Sequence, residues 1–144
     1  MQFITADQQD FEALVSLRIR AMQPSLEAVG RFDPQRARER IAKSFEAKHT
    51  QKIIDNAQLA GFYVLLDKGD HLWLDHLYID PLYQSTGLGG KVIKHLQQIA
   101  QDTQKSLRLG ALKESAANVF YQRHDFVHVE TLEWDNIYQW HAPI

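Results

Sequence analysis

Residues Gln84-Ser85-Thr86-Gly87-Leu88-Gly89-Gly90 place three glycines between an apolar strand pattern and an amphipathic helix pattern. A glycine-rich turn that feeds a helix start leaves several main-chain N–H groups without partners and aims them at one spot. The positive end of the helix dipole points there too, so the chemistry on offer is the binding of a phosphate group. Two common phosphate loops do not fit. A dinucleotide fingerprint read from Gly87 requires glycine where Val92 stands, and a P-loop requires glycine at Ser85 and a hydroxyl at Val92.

The elements that must position this loop follow from periodicity. Gln2 to Thr5 reads as a first strand. Asp7 caps a helix whose apolar residues Phe11, Leu14, Val15, Ile19 and Met22 keep helical spacing until Pro24 interrupts it. Asp33-Pro34 starts a second helix with the stripe Ala37, Ile41 and Phe45. Residues 50–55 and 57–66 form two strands joined by a tight turn near Asn56, and a third strand runs from Leu72 to Ile79. The helix after the loop buries Leu88, Val92, Leu96 and Ile99. A short strand (Leu107–Leu112), a short helix (115–123) and two last strands (Phe126–Glu133, Trp134–Trp140) complete the chain. The strand–helix–strand unit around the loop requires a parallel pair, while the hairpins before it are antiparallel. The fold class is therefore α/β (α+β), a mixed central sheet of about seven strands flanked by about four helices.

Composition bounds the rest. A chain of 144 residues, 44% hydrophobic and 24% charged, fits one globular domain spanning 1–144. A net charge of −2 without a basic cluster argues against nucleic acid, and no apolar run is long enough to span a membrane. The N-terminus lacks the basic-then-apolar layout of a secretory signal, so a soluble cytoplasmic protein is expected. Zero cysteines exclude a disulfide scaffold and an acyl-cysteine intermediate. The seven histidines form no helical i,i+4 pair, and no metal site is expected.

Gln84, Gly87 and Gly89 satisfy the pattern Q/R-x-x-G-x-G/A, which resembles the pyrophosphate loop of the GNAT superfamily of acetyl-CoA-dependent N-acyltransferases. The stretch Glu114 to Phe126 is similar to that family's later signature, N-x-x-A-x-x-[FL]-Y-x-x-x-G-F. Ala117, Phe120, Tyr121 and Phe126 match it, whereas Glu114 and Asp125 replace the usual Asn and Gly. With the order of elements, the resemblance covers essentially the whole chain and implies a GNAT-like sheet.

The resemblance implies acetyl-CoA as acyl-donor substrate, held in the cleft where the strand ending at Ile79 parts from the one starting near Leu107. Main-chain amides from Thr86 through Gly90, a loop that includes Ser85 and Leu88, take the pyrophosphate. Gln84 adds a side-chain donor and Lys91 offsets phosphate charge. Main-chain groups of Leu77 and Ile79 hold the pantetheine arm, and Ser115 or Asn118 stands in for the missing Asn. Tyr121 is the acid that protonates the departing thiolate.

An ordinary alkylamine is mostly protonated at neutral pH, so attack on a thioester also needs a proton acceptor. Asp75 and His76, on opposite faces of the strand before the loop, are the candidates. The implied reaction is direct acetyl transfer to the primary amine of a small molecule. A protein lysine or N-terminus as acceptor, or a non-catalytic acyl-CoA-binding regulatory module, are the alternatives. The acceptor site draws on Met22, Glu27, Phe32, Asp33, Trp134, Tyr138 and Trp140. Glu27 or Asp33 could attract a cation, and Arg18, Arg20 or Arg31 could hold a carboxylate. A homodimer through the C-terminal strands is compatible with this layout.

Overall fold

Aspartates start the first helices of the computed structural model, which describes residues 1–28, 30–84 and 86–143. Asp7 accepts the Gln9 N–H at 2.8 Å while its own N–H donates to Asp10 at 2.9 Å. This reciprocal cap begins a one-turn helix that leads into α1 (Phe11–Ala28). Asp33 accepts the N–H groups of Gln35 and Arg36, and Pro34 occupies the first position of α2 (Pro34–Ser44).

Proline does not stop α1 as its sequence suggests. The helix runs through Pro24 to Ala28. Proline removes one N–H and crowds one carbonyl, which bends a helix without obliging it to end. Two later features support the final turn. Gln23 donates to Glu27 at 2.8 Å, and the end is closed by Gly30 N–H to the Glu27 carbonyl (3.0 Å) and Arg31 N–H to that of Leu26 (2.8 Å). Gly30 is left-handed there, with φ 70°, as this type of closure requires.

The remaining elements are β1 (Gln2–Thr5), β2 (Thr50–Asp55), β3 (Gln58–Asp67), β4 (His71–Ile79), α3 (Leu88–Thr103), β5 (Ser106–Leu112), α4 (Ala117–Arg123), β6 (Val127–Thr131) and β7 (Asp135–Trp140). The seven strands form one mixed sheet in the order β1-β2-β3-β4-β5-β7-β6. The chain divides into two compact units, one of Met1–Val64 with His76–Thr86 and the other of Leu65–Asp75 with Gly87–Ile144.

In the first unit β1, β2 and the start of β3 make an antiparallel meander, with Phe3 opposite Ile53 and Ile53 opposite Gly61. Leu14, Leu17, Thr50, Ile53 and Phe62 are among its fully enclosed side chains. Arg38 of α2 grips Glu12 of α1 through two hydrogen bonds of 2.7 and 2.6 Å and lies 5.3 Å from the Phe11 ring centre. Both charges are exposed, so this pair sets helix orientation more than it adds stability.

In the second unit β4 pairs parallel with β5, from His71 opposite Ser106 to Leu74 opposite Leu109, as a strand–helix–strand crossover demands. Antiparallel β7 and then β6 follow, and β6 is an edge strand with all five residues exposed. Helix α3 buries Leu88, Val92, Ile93, Leu96 and Ala100, so Ile93 and Ala100 take the place expected for Ile99. Successive helix residues are rotated by about 100°, so Val92, Leu96, Ala100 and Ile93 lie on one face about 100° wide.

Two backbone constraints give opposite predictions. Asn56 and Ala57, with φ 51° and 63°, form the two-residue turn between β2 and β3, a geometry that suits Asn-Gly. Left-handed alanine costs about 1–2 kcal/mol, against about 0.5–1 kcal/mol for the extra unfolded freedom of glycine. Ala57→Gly should therefore raise the denaturant midpoint, by about 0.5–1 kcal/mol in stability. At Gly61 an added Cβ would collide with the Tyr78 carbonyl oxygen. Gly61→Ala should lower the midpoint by about 2 kcal/mol or more.

Candidate functional site

The end of β4 is anchored by a buried carboxylate. Asp80, 6% exposed, accepts the Leu82 N–H at 3.1 Å and the Arg20 guanidinium at 2.7 Å, while its N–H donates to the Ala60 carbonyl at 2.8 Å. Burial pushes the Asp80 carboxyl upward, yet Arg20 and the Leu82 N–H outweigh it and hold the group below the ordinary carboxylate value. The loop beyond is stapled to itself. Gln84 donates to the Ile79 carbonyl at 3.1 Å, and the Thr86 hydroxyl donates to the Tyr83 carbonyl. Gln84, expected to offer its amide to a phosphate, thus holds the strand end through one of the main-chain groups expected to meet pantetheine. Ser85 lies outside the described residues.

Helix α3 starts without a side-chain cap. Its N-cap is Gly87, left-handed with φ 84° and ψ 0°. Beyond its chain neighbours no atom of the described residues lies within 4 Å of where a Gly87 Cβ would be, so conformation rather than space calls for glycine. Among the described residues no protein acceptor meets the main-chain N–H of Leu88, Gly89 or Gly90, whereas Lys91 N–H already donates to the Gly87 carbonyl at 3.2 Å. These open donors stand at the positive end of a 16-residue helix. Lys91 is exposed beside them. An added Cβ at Gly90 would lie 3.2 Å from His124 Nε2, a neighbour that nothing in the sequence pattern singled out. His124 is held by its Nδ1 against the Phe120 carbonyl at 2.9 Å, and its own carbonyl accepts Gln97 of α3 at 2.8 Å.

Tyr121 sits on α4, 8% exposed, with its ring edge-on to Phe126 at 5.6 Å and tilted on Tyr138 at 6.2 Å. Helix α4 ends by Asp125 N–H to the Gln122 carbonyl and Phe126 N–H to that of Tyr121, with Asp125 left-handed at φ 69°. Glu114, before α4, is also left-handed at φ 67°.

Asn118 is committed to the protein. Its Nδ2 donates to the carbonyls of Leu112 (2.9 Å) and Ser115 (3.0 Å), while its Oδ1 accepts Asn136 (2.9 Å) and Tyr138 (2.8 Å). An amide side chain has two hydrogens and two lone pairs, and all four are used. Asn118 is therefore a scaffold residue here. Ser115 is half-buried at the same turn, its hydroxyl oxygen 3.4 Å from Asn118 Nδ2.

Asp75 and His76 have different surroundings, as strand alternation requires. Asp75 is half-buried and accepts Trp73 Nε1 at 3.2 Å, two residues back on its own face. His76 is 3% exposed, its Nδ1 3.0 Å from the Tyr78 hydroxyl, which also accepts Arg18 Nε at 3.0 Å. Of the residues expected around an acceptor, Asp33 is spent as a helix cap, Glu27 on Gln23, and Arg20 on Asp80. Tyr138 and Trp140 are core. Among the described residues no cluster of His, Cys, Asp and Glu could hold a metal ion.

A family model described as an acetyltransferase (GNAT) domain matches residues 20–139. No curated protein matches the chain in sequence. Solved structures share its fold at low identity. PaiA N-acetyltransferase from Thermoplasma acidophilum, in complex with coenzyme A, aligns at TM-score 0.81 with 14% identity over 98% of each chain. The ribosomal-protein-S18-alanine N-acetyltransferase of Escherichia coli aligns at TM-score 0.70 with 17% identity over 96% of this chain and 90% of its own. An N-acetyltransferase of Staphylococcus aureus Mu50 aligns at 0.72 with 13% identity over 96% and 100%.

Asp80 sets an acid limit. A carboxyl held below its unfolded value of about 3.9 contributes stability that is present above that pH and lost as the pH falls through the folded value. Chemical denaturation of Asp80→Asn should show lower stability near neutrality and a smaller loss on acidification below about pH 4. Equal acid sensitivity in both proteins would remove Asp80 from this role.

Proposed function

Since the chain belongs to the GNAT acetyltransferase family, we propose that it transfers the acetyl group of acetyl-CoA directly to the primary amine of a small molecule. The observation that carries this reading is the open start of α3, where the N–H groups of Leu88, Gly89 and Gly90 meet no acceptor among the described residues, behind a left-handed Gly87. A diphosphate supplies the acceptors and the negative charge those donors lack. Thr86, Gly87 and Lys91 belong to the same stretch, and Ser85 stands within it.

In the reaction the amine nitrogen forms a bond to the acetyl carbonyl carbon, the C–S bond breaks, and the thiolate takes a proton. Tyr121, at the position of the family's tyrosine, is assigned as the donor of that proton. Asp75 is the better of the two proton acceptors, because His76 Nδ1 is taken by the Tyr78 hydroxyl. Main-chain groups of Leu77 and Ile79 remain assigned to the pantetheine arm, and Ser115 rather than Asn118 to the side-chain contact beside it.

A protein N-terminus is the second reading, favoured by the likeness to the fold of an enzyme described as acting on the alanine of a ribosomal protein. Thiol release with free amines, set against peptides of varied N-terminus, separates the two.

Acetyl-CoA should raise the melting temperature, by a few kcal/mol of linkage at saturation, while ATP and NAD should not. Tyr121→Phe should cut turnover by about 10²-fold or more and leave acetyl-CoA affinity within about twofold. Turnover equal to the parent enzyme would remove Tyr121 as the acid.

A further inference from the structure

Arg18 carries a buried charge that no carboxylate meets among the described residues. It is 6% exposed on α1, and its Nη1 is enclosed without a hydrogen-bond partner among those residues. Its satisfied donor is Nε, which meets the Tyr78 hydroxyl at 3.0 Å, and its guanidinium carbon stands 5.4 Å from the centre of the Tyr78 ring. The carboxylates nearest in role are spent elsewhere in the same unit. Asp80 is held by Arg20, Glu12 by Arg38 and Asp10 by Lys52.

A guanidinium does not discharge in a protein, so the usual escape of a buried base through deprotonation is closed. Burying an ion that, among the described residues, meets a neutral hydroxyl and a ring and no opposite charge carries a desolvation cost that neither partner offsets. Such a cost is retained where the missing counter-ion arrives with a ligand.

We propose that Arg18 receives a carboxylate of the acceptor, which makes that acceptor an amine bearing an acid group, as in a free amino acid. With Nε spent and Nη1 enclosed, Nη2 is the donor a carboxylate reaches first, with the unsatisfied Nη1 beside it to complete the fork. One enclosed positive charge is balanced by one negative charge. A carboxylate supplies that, whereas a doubly charged phosphate would overshoot. The other signs once available for choosing an acceptor have also fallen away. Glu27 and Asp33 are engaged within the protein, so nothing comparable waits for a polyamine. The inference rests on the acetyl-transfer reading.

The test uses matched pairs of acceptors that differ only in the acid group: lysine and cadaverine, ornithine and putrescine, phenylalanine and phenethylamine. Thiol release with acetyl-CoA should favour the acid of at least one pair by roughly 10–100-fold in kcat/KM, mostly through KM. Arg18→Met should bring that ratio close to one and leave acetyl-CoA affinity unchanged. Arg18→Lys, which keeps the charge without the fork, should fall between and serves if the Met variant does not fold. Preference for the decarboxylated member, or a ratio that survives both substitutions, would overturn the proposal. So would a drop in acetyl-CoA affinity, because the anion would then be the coenzyme's. Stabilisation by acetyl-CoA without turnover of any pair sinks the acid-bearing acceptor alone, and absence of stabilisation sinks the underlying function.

Discussion

Helix α3 is left open at its start. Aspartate side chains close the first turns at Asp7 and Asp33, whereas α3 has glycine at its cap and, among the described residues, no side chain bonded to its first N–H groups. An uncapped start costs about 1 kcal/mol of helix stability. It is offset by Leu88, Val92, Ile93, Leu96 and Ala100, all buried along α3. The helix therefore holds its shape through packing and keeps its polar end available. The left-handed Gly87 makes the turn, and Gln84 and Thr86 hold the preceding strand end by their own side chains.

Most of the architecture was legible because hydrophobic spacing reports it directly. The order of strands and helices, the parallel β4–β5 pair and the tight turn at Asn56 all follow from apolar periods and from turn residues. Pro24 was misleading, since proline ends a helix only when nothing beyond it repays the lost hydrogen bond. The side-chain commitments were not legible. That Gln84 turns to the Ile79 carbonyl, or that Asn118 spends all four of its bonding positions inside the fold, depends on distances that no local pattern encodes. Arg18 left a trace: position 18 continues the stripe of Phe11, Leu14 and Val15, so a charged residue there was bound to face the interior. His124 left none, because its approach to Gly90 joins residues far apart in the chain.

The two departures from the family's second motif share one physical character. Glu114 and Asp125 both adopt left-handed backbone, with φ 67° and 69°. The residues usual at those places, Asn and Gly, are the two that tolerate that region best. At both places the backbone conformation is one that the usual residue adopts more readily than the residue present. Gln104 adds a third such case at the end of α3, φ 57°, closed by Lys105 N–H to the Ala100 carbonyl. Packing supplies what backbone preference does not at the two helix ends: Ala100 is enclosed beside Gln104, and Phe126 meets the Tyr121 ring edge-on beside Asp125.

Asn118 has a reach beyond its own turn. One amide ties the segment leaving β5 to the middle of β7 through Leu112, Ser115, Asn136 and Tyr138. Segments joined in this way open to solvent together, as a single cooperative unit. In deuterated buffer the main-chain hydrogens of β5 and β7 should then share one opening free energy. The lone outer pairing of β6, whose residues are all exposed, is left to fray on its own.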